Sequence, residues 1–129
     1  MQNNNVSEEQ LEHYLKECNV KPRSFHVIST VNVVTDENDI ILVEDDDTST
    51  MSEWQYIMAV GTGVEDWSPG DKVLLDLDKL KVRVVNPENR METIETLRFN
   101  PIPIGDKFFN IIPESAVLAK EHKYEDIEL

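Results

Sequence analysis

The chain has 129 residues, 40% of them hydrophobic, which suffices for one modest core and leaves no room for a second domain. Its 26 acidic against 12 basic residues give a net charge of −14, which excludes phosphate backbones and anionic membrane surfaces as main partners and leaves basic proteins or a multi-copy assembly. The single cysteine, Cys18, excludes a disulfide framework, and no apolar run reaches membrane-spanning length. The Met1-Gln2-Asn3-Asn4-Asn5 start has neither the basic nor the apolar region of a secretory leader, so synthesis in the cytosol is expected.

Residues 1–5 are polar and read as loose. Ser7-Glu8-Glu9-Gln10 is a capping box, in which the serine oxygen accepts from the Gln10 N–H and the glutamine reaches back. Val6 and Leu11 stand at the two positions of a hydrophobic staple across it. Leu11, Tyr14, Leu15 and Cys18 then recur at helical spacing until Asn19 and Pro22 end the helix. The apolar face of this N-terminal helix (residues 1–20 with its extension) is expected to cover the sheet, an intermolecular contact being the alternative.

Ser24 to Val34 is β-branched and reads as one strand, with Phe25, Val27, Val31 and Val33 on one face. Thr35 to Asp39 is a turn, Ile40-Ile41-Leu42-Val43 a compact apolar run, and Glu44 to Thr50 an acidic loop. Trp54, Tyr56, Met58 and Val60 alternate strictly with Gln55, Ile57 and Ala59, predicting a strand. Gly61 and Gly63 are expected to reverse the chain at positive φ, and Pro69-Gly70 to fill the centre of a type II turn. Strands follow over Lys72 to Asp76 and through Leu80, Val82 and Val84; Asn86-Pro87-Glu88-Asn89 turns into a returning strand through Ile94, Leu97 and Phe99. Pro101-Ile102-Pro103-Ile104-Gly105 reads as a rigid connector unable to join a ladder. Phe108 to Ile112 and Ala116 to Ala119 complete the sheet, and residues 121–129 form an acidic tail.

No residue set predicts catalysis. His13, His26 and His122 are scattered over helix, strand and tail with no nucleophile motif beside them, and no Cys/His set supplies four zinc ligands. Gly61-Thr62-Gly63 lacks the lysine-hydroxyl pair and helix of a phosphate loop. The acidic run Glu44-Asp45-Asp46-Asp47 lacks the glycine and closing glutamate of a calcium loop and reads as solvated, with contact to a basic partner as the alternative. Ile40-Ile41-Leu42, with Val43, is the candidate docking element: three large apolar residues between acidic segments must be buried either in the core or in a partner.

The stretch Ile57-Met58-Ala59-Val60-Gly61-Thr62-Gly63, followed by Ser68-Pro69-Gly70-Asp71-Lys72-Val73-Leu74-Leu75, resembles the A-V-G-x-G and V-G-D-x-V/I segments of the GroES-type co-chaperonins. Asn38-Asp39-Ile40-Ile41-Leu42 lies where that family carries the Gly-Gly-Ile-Val-Leu of its mobile loop, and Pro113 to Ala119 resembles its closing strand. The resemblance spans residues 21–120 with an insertion over about 79–105. It implies a mainly β fold, a small GroES-like antiparallel β-barrel with one short N-terminal helix. It also implies a non-enzymatic protein without cofactor or metal that docks Ile40-Ile41-Leu42 on a partner. Asn38 and Asp39 replace the family's two loop glycines, a capped helix is added, and the insertion lengthens the barrel. These departures favour a structural subunit or decoration of a large symmetric assembly, such as an auxiliary capsid protein in a phage virion or host cytoplasm, with a co-chaperonin lid as the alternative.

Overall fold

The computed structural model describes residues 4–34, 50–86, 88–97 and 99–121. One helix, α1 (Glu8–Glu17), precedes ten strands: β1 (His26–Ser29), β2 (Val33–Val34), β3 (Thr50–Met51), β4 (Trp54–Val60), β5 (Lys72–Leu75), β6 (Lys81–Asn86), β7 (Asn89–Leu97), β8 (Pro101–Ile104), β9 (Lys107–Pro113) and β10 (Val117–Lys120). Six of them form an antiparallel sheet in the order β10-β5-β4-β1-β9-β8, while β2–β3 and β6–β7 are separate two-stranded ladders. The protein is therefore mainly β with one N-terminal helix, and among the described residues the six-stranded sheet ends at β10 on one side and β8 on the other.

The capping box forms as its spacing requires. Gln10 N–H donates to Ser7 Oγ and Ser7 N–H to Gln10 Oε1, both at 3.2 Å, which satisfies two donors that the first helical turn leaves open. Val6, Leu11 and Tyr14 are buried in one cluster with Ile28, Met58, Ala59, Ile104 and Phe109, and Leu15 and Cys18 pack against it. The apolar stripe of α1 thus covers the sheet of its own chain. A second cluster, Val27, Ile57, Val73, Leu75, Leu80, Ile112, Ala116 and Val117, lies on the other face.

The sheet bends at β4. Trp54, Gln55 and Tyr56 pair with β5, whereas Ile57, Ala59 and Val60 pair with β1. The register steps from Ile28↔Ala59 to Ser29↔Ile57, so Met58 is an extra residue in a β-bulge. This corrects the strict alternation expected from the sequence: Met58 and Ala59, consecutive in the chain, both join the helix-side cluster, and Ile57 and Val60 face the other one. A bulge at the point where a strand changes partners is the usual way to turn such a corner.

Three further expectations are corrected. The segment 24–34 is broken after Ser29 into β1 and β2. β1 is central and buried on both faces, Val27 in one cluster and Ile28 in the other, while Phe25 lies before it, 62% exposed. Pro101 to Ile104 does join a ladder, pairing with β9 from Pro101↔Asn110 to Ile104↔Lys107. Two prolines spaced by two residues turn their missing N–H groups to the same side, and on an edge strand that side faces no neighbour. Gly61 and Gly63 do not adopt positive φ; Gly70 and Gly105 do, at 96° and 63°. Gly61 is instead required by close approach, since a Cβ there would stand 2.4 Å from the Ser24 carbonyl oxygen. Gly70, with the Asp71 N–H donating to Ser68 O at 3.1 Å, fits the expected Pro-Gly turn.

Candidate functional site

Ile40, Ile41, Leu42 and Val43, together with Glu44, Asp45, Asp46 and Asp47, lie outside the described residues. The structure does define where their segment is rooted. Val33 pairs with Met51 and Val34 with Thr50, so the chain leaves β2 and re-enters β3 at adjacent positions.

That root is held by carboxamide side chains that act as substitutes for strand backbone. Asn5 Nδ2 donates to Val33 O at 3.0 Å while Val33 N–H donates to Asn5 Oδ1 at 2.9 Å. Asn32 makes the same two-way pair with Val6, at 2.9 and 2.7 Å. Asn4 does so with Phe108, at 2.9 and 2.8 Å, on the edge of β9 beyond the end of β1. Each amide side chain presents one donor and one acceptor side by side, as a neighbouring strand would.

Gln55 lies beneath this root, fully buried. Its Oε1 accepts from Thr30 Oγ1 at 2.7 Å and from Asn32 N–H at 2.8 Å; its Nε2 donates to Asn32 O at 2.9 Å and to Ser52 O at 2.8 Å. Thr30 Oγ1 in turn accepts from Tyr56 N–H at 2.9 Å. All four hydrogen-bonding positions of the glutamine are used, so its burial leaves nothing unpaired.

Beside the root is an open groove of about 670 Å³, walled by Val6, Gln10, Val33, Val34, Trp54 and Tyr56 among others. Lys72 Nζ stands 6.0 Å from the centre of the Trp54 ring and 3.5 Å from Glu121. The groove walls combine amide, hydroxyl and apolar groups with the Lys72 amine.

Among the described residues, His13 and His26 are not brought together. His13 is on the exposed side of α1, 3.9 Å from Glu17; His26 opens β1 with its Nδ1 buried and unpartnered; His122 lies outside the described residues. Among the described residues no group of three His, Cys, Asp or Glu side chains is placed to hold a metal ion. Cys18 is half-buried against the helix-side cluster.

The most perturbed titrating pair is structural. Tyr14 Oη donates to Asp106 at 2.5 Å, and this bond, with burial, pushes the phenol up from 10.0 to about 12. The same bond holds Asp106 below the usual carboxylate range. Lys107, nearly buried, lies 5.3 Å from the Tyr14 ring centre and donates to Asn5 O and Gln10 Oε1. The turn before β9 and the start of the chain are thereby tied to α1.

The β6–β7 hairpin is a ladder separate from the six-stranded sheet. Its root is anchored by Leu80, buried in the inner cluster, and by Leu97, packed against it. Beyond that root Val84, Val85 and Met91 are exposed, the last at 93%.

Sequence reasoning missed Asn4, Asn5, Asn32 and Gln55. A polar N-terminus looks the same whether solvated or clamped, but Gln55 carried a usable signal: it shares a strand face with Ile57. Comparison of the sequence with protein-family models finds no match, and comparison with curated proteins finds none either.

Proposed function

We propose that the chain is a non-catalytic interaction protein, a subunit or decoration of a large symmetric assembly such as a phage virion, on a small barrel of the GroES-like kind. The observation that carries this reading is the rooting of the 35–49 segment. Its two ends are side by side in β2 and β3, and the base beneath them is a saturated hydrogen-bond network with a fully buried glutamine. A rigid base under a segment that carries Ile40-Ile41-Leu42 suits presentation of that tripeptide to a partner.

The barrel is supported by connectivity. β9 and β10, at or next to opposite ends of the strand order, are joined by only a three-residue 3-10 turn, Glu114–Ala116. The bulged corner at β4 and the inner apolar cluster give the row the curl that this short link requires. The co-chaperonin reading keeps one specific support: the rooted segment precedes the Ala59-Val60-Gly61-Thr62-Gly63 stretch, the order that the resemblance implies.

The test is Ile41→Asp, with light scattering, melting and co-sedimentation with a chaperonin and ATP. A docking tripeptide predicts an unchanged melting temperature and loss of partner binding. A large fall in melting temperature places the tripeptide in the core, because a buried unpaired charge is costly, and sinks the docking element. Nucleotide-dependent co-sedimentation of the unsubstituted chain favours the lid; a multi-copy species that ignores the chaperonin favours the shell.

A further inference from the structure

We infer that residues 5–7 form a strap that sets the geometry of the β2–β3 root, so that seating of the strap and docking by the 35–49 segment are coupled. The coupling rests on the reading of that segment as a docking element; the hold of the strap on the root does not.

The β2–β3 ladder is too short to hold itself. It pairs Val33 with Met51 and Val34 with Thr50, and among the described residues no third strand joins it. Isolated two-stranded ladders are marginal in water even at greater length. One step from Val33, the Ser52 N–H donates to Asn32 O at 2.9 Å. Val33 and Met51 are therefore a non-hydrogen-bonded pair, and the Val33 N–H and C=O point away from β3. On that outer side the Asn5 side chain takes both groups, at 2.9 and 3.0 Å. One carboxamide thus fills the place of a third strand.

The strap is itself fixed from other directions. Val6 is buried in the helix-side cluster and Ser7 caps α1. Lys107 donates to Asn5 O, and Asn4 ties the outer end to Phe108 of β9. Asn32 joins strap to root. Its side chain exchanges two hydrogen bonds with the Val6 backbone, while its own N–H and C=O meet the Gln55 carboxamide and its C=O also accepts from Ser52. Unseating the strap therefore removes two bonds from Val33 and two from Asn32, at a ladder of only two residue pairs. A partner that engages the 35–49 segment meets a fixed root while the strap is seated and a loosened one when it is not. Linkage makes the effect mutual: docking that needs the fixed root also favours the seated strap.

Native-state hydrogen exchange of the full chain, followed by NMR over a range of denaturant, tests the hold on the root. The Val6 amide reports the strap, the Ser52 amide the root, and the Gly61 amide, bonded to His26 O at 2.9 Å, the core. The expected result is that Val6 and Ser52 open together, with one rate and one denaturant slope, and more readily than Gly61. In Asn5→Ala both should accelerate by the same factor, roughly tenfold to a hundredfold for two lost bonds. Val6 opening without Ser52, or Ser52 opening only with Gly61, overturns the strap. A chain lacking residues 1–6 gives the second reading: Ser52 should lose its protection while Gly61 keeps it, and a protected Ser52 overturns the strap. The same shortened chain should dock at least about tenfold more weakly, on a chaperonin with ATP or on further copies of the full chain. Equal docking overturns the coupling and leaves the hold on the root standing. If the shortened chain does not fold, docking of the full chain should slow Val6 exchange, and unchanged exchange overturns the coupling. A full chain that neither self-associates nor binds the chaperonin overturns the docking reading and the coupling with it, and the exchange of Val6 and Ser52 still decides the strap.

Discussion

Gln55 stands where the strand pattern calls for an apolar residue, and the hydrogen bonds around it explain why a leucine would be worse. Gln55→Leu fits the volume but strands the Thr30 hydroxyl proton, the Asn32 N–H and the Ser52 carbonyl, while the Asn32 carbonyl keeps the Ser52 N–H at 2.9 Å. At about 1–3 kcal/mol for each buried group left unpaired, partly relieved by water, the variant should lose at least about 3 kcal/mol in chemical denaturation. Tyr14 and Asp106 give a pH signature. Tyr14 is raised in the folded chain, so its contribution is complete below pH 10 and is lost as pH climbs toward 12. Asp106 is lowered, so its side of the same bond is intact above the ordinary carboxylate range and fails as pH falls through it. Melting curves of Tyr14→Phe should lie below the parent near neutrality and converge with it above pH 11. Parallel curves at every pH would show that the bond contributes nothing.

Among the elements, α1 and the Pro69-Gly70 turn were the most legible in the chain, because their signals are local. A capping serine, a staple pair and a Pro-Gly dipeptide act within a few residues, whatever the rest of the fold does. Ser7→Ala should accordingly cost about 1 kcal/mol and shorten the helical signal in circular dichroism. The strands were legible as strands, but not their faces. Whether Met58 and Ala59 point the same way depends on β1, which lies about 30 residues earlier and forces the bulge. Pro101 to Ile104 illustrates the same limit: its prolines forbid a central strand and permit an edge one, and only the sheet order distinguishes the two. Gly61 was rightly singled out as a glycine and wrongly explained, because the oxygen it must clear belongs to Ser24. Of the candidate docking residues, the sequence supplies the tripeptide and the structure supplies its root.

For the molecule as a whole, the two apolar clusters lie on opposite faces of the same central strands. Val27 and Ile28 of β1 divide between them, as do Ile57 and Met58 of β4. Neither cluster can dissolve without releasing strands that the other needs, so unfolding should be one cooperative event. Phe109→Ala, which empties the helix-side cluster at a fully buried position, should cost about 3–5 kcal/mol. Its loss should be reported equally by the helix in circular dichroism and by Trp67, packed on the far side, in fluorescence. Separate midpoints for the two probes would show two independent units.

The amide clamps also define what the loss of one side-chain nitrogen would do to the protein. Deamidation turns a side chain that both gives and takes a proton into one that only takes. At Asn32 the new carboxylate would face the Val6 carbonyl that its Nδ2 now serves at 2.9 Å, oxygen against oxygen. Asn32→Asp reproduces that lesion with almost no change of shape. It should unseat the start of the chain from the root of the 35–49 segment at neutral pH. Acid should partly repair it, since a protonated carboxyl regains the missing donor. A stability profile for the variant that rises as the pH falls, where the parent's does not, would mark the old and new forms of the same molecule.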